Sequence, residues 1–237
     1  MRPQKKVIII EGLIGGGKSS LTHELGEAMK RRGDNTLVLF EPDEKDEANP
    51  YLKDYYTDQL RWSFTIQSHL LALRYRMHLQ AQWHAMNGDG HSLLDRSFYG
   101  DTAFARLQLR LGLMSKREFE TYRLLYHAMT ASVLLPTACV RILVSPETCN
   151  RRIAARMLKE TGRKCETAVD LHYLQGLDDE IGHMVNVLQS QGVAVLNVPW
   201  DEDRNQENRQ EAVEGLAARL ERIEPVDPFL DLHRRTS

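Results

Sequence analysis

The sequence predicts an α/β protein: a five-stranded parallel sheet flanked by helices, with an arginine-rich segment at one end. Three observations predict it. Short runs of Val, Ile and Leu recur along the chain, apolar throughout rather than alternating, as strands covered on both faces require. The stretches between them are long enough to return as crossover helices, so β and α segments alternate. A glycine-rich turn follows the first run, and open sheets of this kind bind ligands just beyond the carboxyl ends of their strands.

Taken in order, the first strand is expected over Val7–Ile10, closing at Glu11 and running into Gly12-Leu13-Ile14-Gly15-Gly16-Gly17-Lys18-Ser19, then into a helix over Leu21–Arg32. The basic start ahead of this run imitates a leader peptide, but four apolar residues ending at a glutamate are too few for one. A second strand, Thr36–Phe40, leads into Glu41-Pro42. Trp62, Phe64, Ile66, Leu70 and Leu71 mark a helix with a polar stripe, since Gln67 and Arg74 lie within ~20° of each other around its axis. If that helix continues back far enough, Tyr56 joins the stripe. A third strand, Ser92–Leu94, ends in Asp95-Arg96-Ser97. Tyr122 and Tyr126 lie at helical spacing and read as packing residues. The fourth strand, Val140–Val144, precedes Ser145-Pro146 and a basic stretch with Arg151, Arg152, Arg156, Arg163 and Lys164. The fifth, Val193–Val198, precedes Trp200–Arg204 and a closing helix over Gln206–Ile223. Residues 1–223 are expected to form a single domain, with 224–237 as a C-terminal tail.

Composition excludes several classes. The chain of 237 residues is 42% hydrophobic and 27% charged, unlike a disordered or fibrous protein. Thirty-one Lys and Arg against 33 Asp and Glu leave a net charge of −2. That balance gives no global basic field for a nucleic-acid polymer or an anionic membrane, and neither is expected as a partner. No apolar run approaches the ~20 residues of a membrane helix. Cys139, Cys149 and Cys165 lack metal-ligand or CxxC spacing, so reduced thiols in a cytoplasmic protein are expected.

The turn Gly12–Ser19 fits GxxxxGK[ST]. Gly12, Gly15 and Gly17 let backbone N–H groups curl round phosphate oxygens, Lys18 neutralises their charge, and the Ser19 hydroxyl is the expected Mg²⁺ ligand. Ser20, next on the helix, completes the expected ATP-binding set. The strand ends bring Glu41, Asp95 and Arg96 to the same crevice. There Glu41 suits a base for an acceptor hydroxyl, and Asp95 a carboxylate on the metal side. Arg96 can hold Glu41 charged and meet the transferring phosphate. Arg152 and Arg156, four apart, share a helix face and can close over phosphates as a lid.

These motifs together resemble those of the deoxynucleoside kinases acting on deoxycytidine, deoxyguanosine and deoxyadenosine. The resemblance runs from Val7 to about Arg204. It rests on the phosphate loop, Glu41-Pro42, Tyr56, Trp62, Gln67-Ser68, Asp95-Arg96-Ser97, Ser145-Pro146-Glu147 with the arginines, and Glu166 before Tyr173-Leu174. It implies a P-loop kinase fold and transfer from ATP, with Mg²⁺, to a deoxynucleoside 5′-hydroxyl in nucleotide salvage, usually by a homodimer. It places the base on Glu41, the sugar 3′-hydroxyl contacts on Tyr56 and Glu166, and paired hydrogen bonds to the base on Gln67. Arg74 and Asp101 then approach the base, which favours purines or deoxycytidine over thymidine, while Asp201 lies in the loop that covers the ATP adenine. The chain departs from the family in three places. Asp95 stands where many members have glutamate, Met157–Gly162 lengthen the lid, and acidic Asp43–Glu47 replace a tryptophan after Glu41-Pro42.

Two other readings compete. A monophosphate kinase of the thymidylate kinase type shares the sheet, the loop and the Asp-Arg pair, but Glu41 would repel an acceptor phosphate. A GTPase-type switch needs an NKxD element to read guanine, and the sequence has none.

Overall fold

The computed structural model describes residues 5–41, 49–88, 90–131, 133–158, 169–202 and 205–224. Arg163, Lys164, Cys165, Glu166 and the tail beyond 224 lie outside the described residues, as does the acidic segment Asp43–Glu47.

The sheet is five-stranded and parallel throughout, in the order β2 (Leu37–Leu39), β3 (Ser92–Asp95), β1 (Val7–Glu11), β4 (Ala138–Leu143), β5 (Ala194–Pro199). All five residues of β1 are buried, which explains why its sequence does not alternate. From β1 the chain crosses beyond β3 to reach β2, and β4 and β5 add on the opposite side. The carboxyl end of β1 is therefore where the winding reverses, and a crevice opens at such a point. All five strands match their expected runs to within two residues. β2 is shorter than expected, because the Thr36 hydroxyl donates to the Asp34 carboxylate at 2.9 Å and pairing with β3 stops at Leu39, opposite Leu94.

Helix α1 (Lys18–Arg31) starts three residues before the expected Leu21. Gly17, at φ +88°, turns the chain so that helical geometry begins at Lys18 itself. Leu21, Leu25, Ala28 and Met29 form its buried stripe against the sheet. Helices α2 (Leu52–Thr57) and α3 (Gln59–Met86) do not form one continuous helix. Asp58, at φ −145°, breaks them and caps α3 by accepting from the Arg61 N–H at 3.1 Å. Tyr56 consequently belongs to α2 and not to the Gln67–Arg74 stripe, which corrects the expectation from spacing.

Ser97 caps α4 (Phe98–Arg110), Ser115 and Glu118 form a capping box on α5 (Lys116–Thr130), and Ser145 followed by Pro146 opens α6 (Pro146–Met157). Asp170 and Asn205 cap α7 (Leu171–Ser190) and α8 (Gln206–Glu221). The Lys6 ammonium donates to the Leu220 and Glu221 carbonyls, tying the end of α8 to the start of β1. Cys139 and Cys149 are buried thiols. No helix among the described residues is long and apolar enough to cross a membrane.

Candidate active site

The loop between β1 and α1 is shaped by glycines with little space around them. Gly15 sits at φ +77°, and a Cβ there would meet Ile153 Cγ1 and the Cys149 carbonyl, both on α6, at 2.9 Å. A side chain would push the arginine-bearing helix away from the loop. A Cβ at Gly12 would lie 3.0 Å from the Ile142 carbonyl of β4, and Gly17 lies against the buried Trp200 ring. Ser19 and Ser20 are exposed on the first turn of α1, while Lys18 is buried. Its ammonium donates to the Leu13 carbonyl at 2.7 Å, within the loop itself. Burial, joined by the positive charge of Arg96, lowers the Lys18 pKa to about 7. A bound anion would restore the ammonium's full charge.

Ser19 and Asp95 bring their side chains together, the hydroxyl donating to Asp95 Oδ2. The other oxygen, Oδ1, is buried and has no hydrogen-bond partner among the described residues. A hydroxyl beside a carboxylate with an unused oxygen is the hard-oxygen chemistry that Mg²⁺ takes.

Glu41 lies two residues past β2 and reaches back over the end of the sheet. Arg74 Nη2 donates to its Oε1, and Arg96 Nε lies 3.5 Å from its Oε2. Burial alone would raise the Glu41 pKa, but the charges of Arg74 and Arg96 outweigh it and hold the carboxylate below its ordinary range. Arg74 Nη1 donates to Asp101 Oδ1, and the Tyr122 hydroxyl donates to Asp101 Oδ2 at 2.7 Å. Both Asp101 oxygens are therefore in use. Phe104 underlies both guanidinium groups, with Arg96 4.6 Å and Arg74 5.8 Å from its ring centre. Gln67 lies on the same helix as Arg74, and its Oε1 is buried with no hydrogen-bond partner among the described residues.

The other wall is built from α6 and the residues after β5. Arg152 donates to the Trp200 and Asp201 carbonyls at 3.3 and 3.2 Å. Asp201 accepts from both the backbone N–H and the hydroxyl of Ser145, the cap of α6. Arg156 lies one turn beyond Arg152, half-buried. Glu166 lies outside the described residues, so Tyr56 is the described member of the expected sugar pair. Tyr56 is half-buried, its ring 5.2 Å from that of Tyr55.

Three residues of this site escaped the sequence reading. Tyr122 is buried as expected for packing, yet its hydroxyl also completes Asp101. Phe104 left no signal beyond its place on α4. Glu11 did leave one, because an acid that ends a fully apolar strand next to a phosphate loop is placed in the core. It is wholly buried and accepts from the Ser97 N–H at 2.9 Å and the Ser97 hydroxyl at 2.6 Å.

Comparison with known proteins shows the family of the chain. The deoxynucleoside kinase family model matches residues 8–220. A deoxyadenosine kinase of Dictyostelium discoideum is 32% identical over 195 residues, covering 82% of this chain and 72% of that protein. A deoxyguanosine kinase of the same organism is 30% identical over 83% of this chain, which spans 64% of that protein's length. The solved structure of deoxyadenosine kinase from M. mycoides with bound dATP superposes with a TM-score of 0.71 at 22% identity, covering 91% of this chain and 99% of that one, and so shares its fold. With a family match across almost the whole sheet and both walls of the crevice, the chain belongs to the deoxynucleoside kinase family.

Proposed function

We propose that the protein transfers the γ-phosphate of ATP to the 5′-hydroxyl of a deoxynucleoside, a purine or deoxycytidine in preference to thymidine, in nucleotide salvage. The observation that carries this reading is Glu41. Two arginines hold its carboxylate charged at the mouth of the phosphate loop, ready to accept a proton at neutral pH.

Glu41 orients the 5′-hydroxyl and accepts its proton as the oxygen attacks. Lys18, Arg96, Arg152 and Arg156 spread their charge over the transferring phosphoryl group. The N–H groups of Gly12, Gly15 and Gly17 and the first turn of α1, with Ser19 and Ser20, hold the phosphates. Ser19 and Asp95 would hold Mg²⁺, which when bound would supply positive charge beside the phosphates. Asp201 steadies the loop over the adenine. Gln67 and Arg74 read the base, and Tyr56 with Glu166 hold the 3′-hydroxyl. Asp101 orients Arg74 and, since each carboxylate oxygen can accept more than one hydrogen bond, also approaches the base. We further read the chain as one cytoplasmic kinase domain over residues 1–223, working as a homodimer.

The test is ATP-dependent phosphate transfer to the four deoxynucleosides and their 5′-monophosphates. Turnover of deoxyadenosine, deoxyguanosine or deoxycytidine, with inert monophosphates, is expected. Turnover of thymidine alone would remove Arg74 from base reading, and turnover of a monophosphate alone would overturn the role of Glu41. Equal use of 3′-deoxy analogues would count against Tyr56 and Glu166.

A further inference from the structure

The turn after β3 holds a conformation that its sequence does not favour. Arg96 is the one non-glycine residue with positive φ among the described residues, at +72°, where an L side chain crowds its own backbone. Such a conformation persists only where the surroundings over-determine it. Here the Arg96 N–H donates to the Ile10 carbonyl of β1 at 3.0 Å, and the next residue of β1, Glu11, adds contacts of its own. The Glu11 carboxylate takes both hydrogen bonds of Ser97, the residue after the strained one. Its second oxygen, Oε2, faces Arg96 Nη1 at 3.8 Å. Both of these atoms are buried, and neither has a hydrogen-bond partner among the described residues.

The space around the carboxylate is fitted to it. A Cβ on Gly100 would lie 2.4 and 2.5 Å from the two Glu11 oxygens, so α4 can approach this close only with glycine there. Arg96 is held from the other side by the Phe104 ring, and its Nη2 lies 3.5 Å from the Gly12 carbonyl of the phosphate loop. Its guanidinium thus stands between two carboxylates, 3.8 Å from Glu11 and 3.5 Å from Glu41, without a close hydrogen bond to either.

We propose that Glu11 is a positioning residue for Arg96: its buried carboxylate fixes the strained turn so that the guanidinium stands between Glu41 and the phosphate loop. The role rests on the reading of Arg96 given above. Glu11 is wholly buried and is given no contact with the substrate. It acts by deciding where the Arg96 charge sits, in a site where small displacements of a cation have large effects on the rate.

The test is a double-mutant cycle on kcat with Glu11→Gln, Arg96→Lys and both together, using whichever deoxynucleoside the wild-type enzyme turns over. Glutamine keeps an oxygen for Ser97 and replaces the carboxyl oxygen that faces Arg96 with an amide. Glu11→Gln should lower kcat by about 30-fold or more, with KM for the nucleoside within about 3-fold, and the double variant should be no slower than Arg96→Lys. Losses that multiply would make Glu11 a scaffold residue unrelated to Arg96 and overturn the proposal, as would an unchanged kcat. If Glu11→Gln does not fold, Ser97→Ala, which removes one of the two hydrogen bonds, takes its place in the cycle. If the wild-type enzyme is inert towards every nucleoside, the functional reading fails, and a crystal structure of the variant then decides the positioning alone. Arg96 leaving its positive φ would support it, and an unmoved turn would sink it.

Discussion

On the β3 side of the crevice, Glu11, Arg74, Arg96 and Asp101 are each less than 5% exposed, and every one faces an opposite charge. On the β4–β5 side, Asp201 is exposed and Arg152 lies only partly buried over backbone carbonyls; Ser19 and Ser20, at the start of α1, are exposed as well. A buried charge without a partner is too costly to keep, so the first wall must be complete whenever the protein is folded. The second wall is a row of backbone N–H groups and side chains open to solvent. The contrast teaches that the acceptor wall is part of the fold, whereas the donor wall is only attached to it. Substitutions on the acceptor wall should move stability and turnover together, and those on the donor wall should move nucleotide affinity alone.

Glu41 is the informative exception, because it reaches from the acceptor wall into the open part of the site, its side chain 24% exposed. Glu41→Gln should lower kcat by about 10²- to 10⁴-fold, the range of a positioned general base, with nucleoside KM nearly unchanged. Its pH dependence follows from the arginines. With its pKa held below the ordinary 4.5, Glu41 is charged at neutral pH, and the acid limb of turnover should appear only as pH falls below 4.5. The stabilisation from its arginine contacts is likewise present above pH 4.5 and lost on acidification through the lowered pKa.

Arg74→Leu breaks the comparison at its centre. It leaves Asp101 buried without its cation, a loss of the order of 3–5 kcal/mol in stability. It also removes the larger of the two charges that lower the Glu41 pKa, so the acid limb of kcat should move to higher pH. A variant that keeps the wild-type melting temperature would show that the acceptor wall is not built into the fold.

How much of this was legible in the sequence depends on what each residue's role requires. The phosphate loop was legible because a backbone that wraps phosphate needs glycine at fixed spacing, and spacing survives in one dimension. The sheet was legible for a similar reason, since continuous burial of β1 forces a continuous apolar run. The break at Asp58 was not, because an aspartate reads equally as a surface residue of a continuing helix and as a cap. The partnership of Tyr122 with Asp101 joins α5 to α4 across the interior, and no local period encodes a contact between two helices. Glu11 was on view throughout, but its partner Ser97 is 86 residues away.

Tyr122→Phe sharpens the comparison with a smaller change. Removing one hydroxyl leaves an Asp101 oxygen buried and unsatisfied, which should cost about 2 kcal/mol, or roughly 6 °C in melting temperature for a domain of this size. Arg74 keeps its salt bridge to Asp101 but loses the fixed orientation of its partner. The expected kinetic effect is a several-fold rise in nucleoside KM, with ATP KM unchanged. A variant that melts with the wild type would mean that Asp101 is satisfied without the tyrosine.

The smallest effect is expected on the donor wall, from Arg152→Ala. The hydrogen bonds to the Trp200 and Asp201 carbonyls, at 3.3 and 3.2 Å on a partly exposed surface, contribute little to folding. The melting temperature should stay within about 2 °C of the wild type. What the variant removes is a cation beside the phosphate loop and the tie between α6 and the residues after β5. Asp201 still caps that helix through Ser145, so the wall should keep its shape. The expected signature is a rise in ATP KM of about 5- to 10-fold at unchanged nucleoside KM. A melting temperature that falls as far as that of Tyr122→Phe would erase the distinction between the walls, since α6 and its arginine would then belong to the fold as fully as Arg74 does.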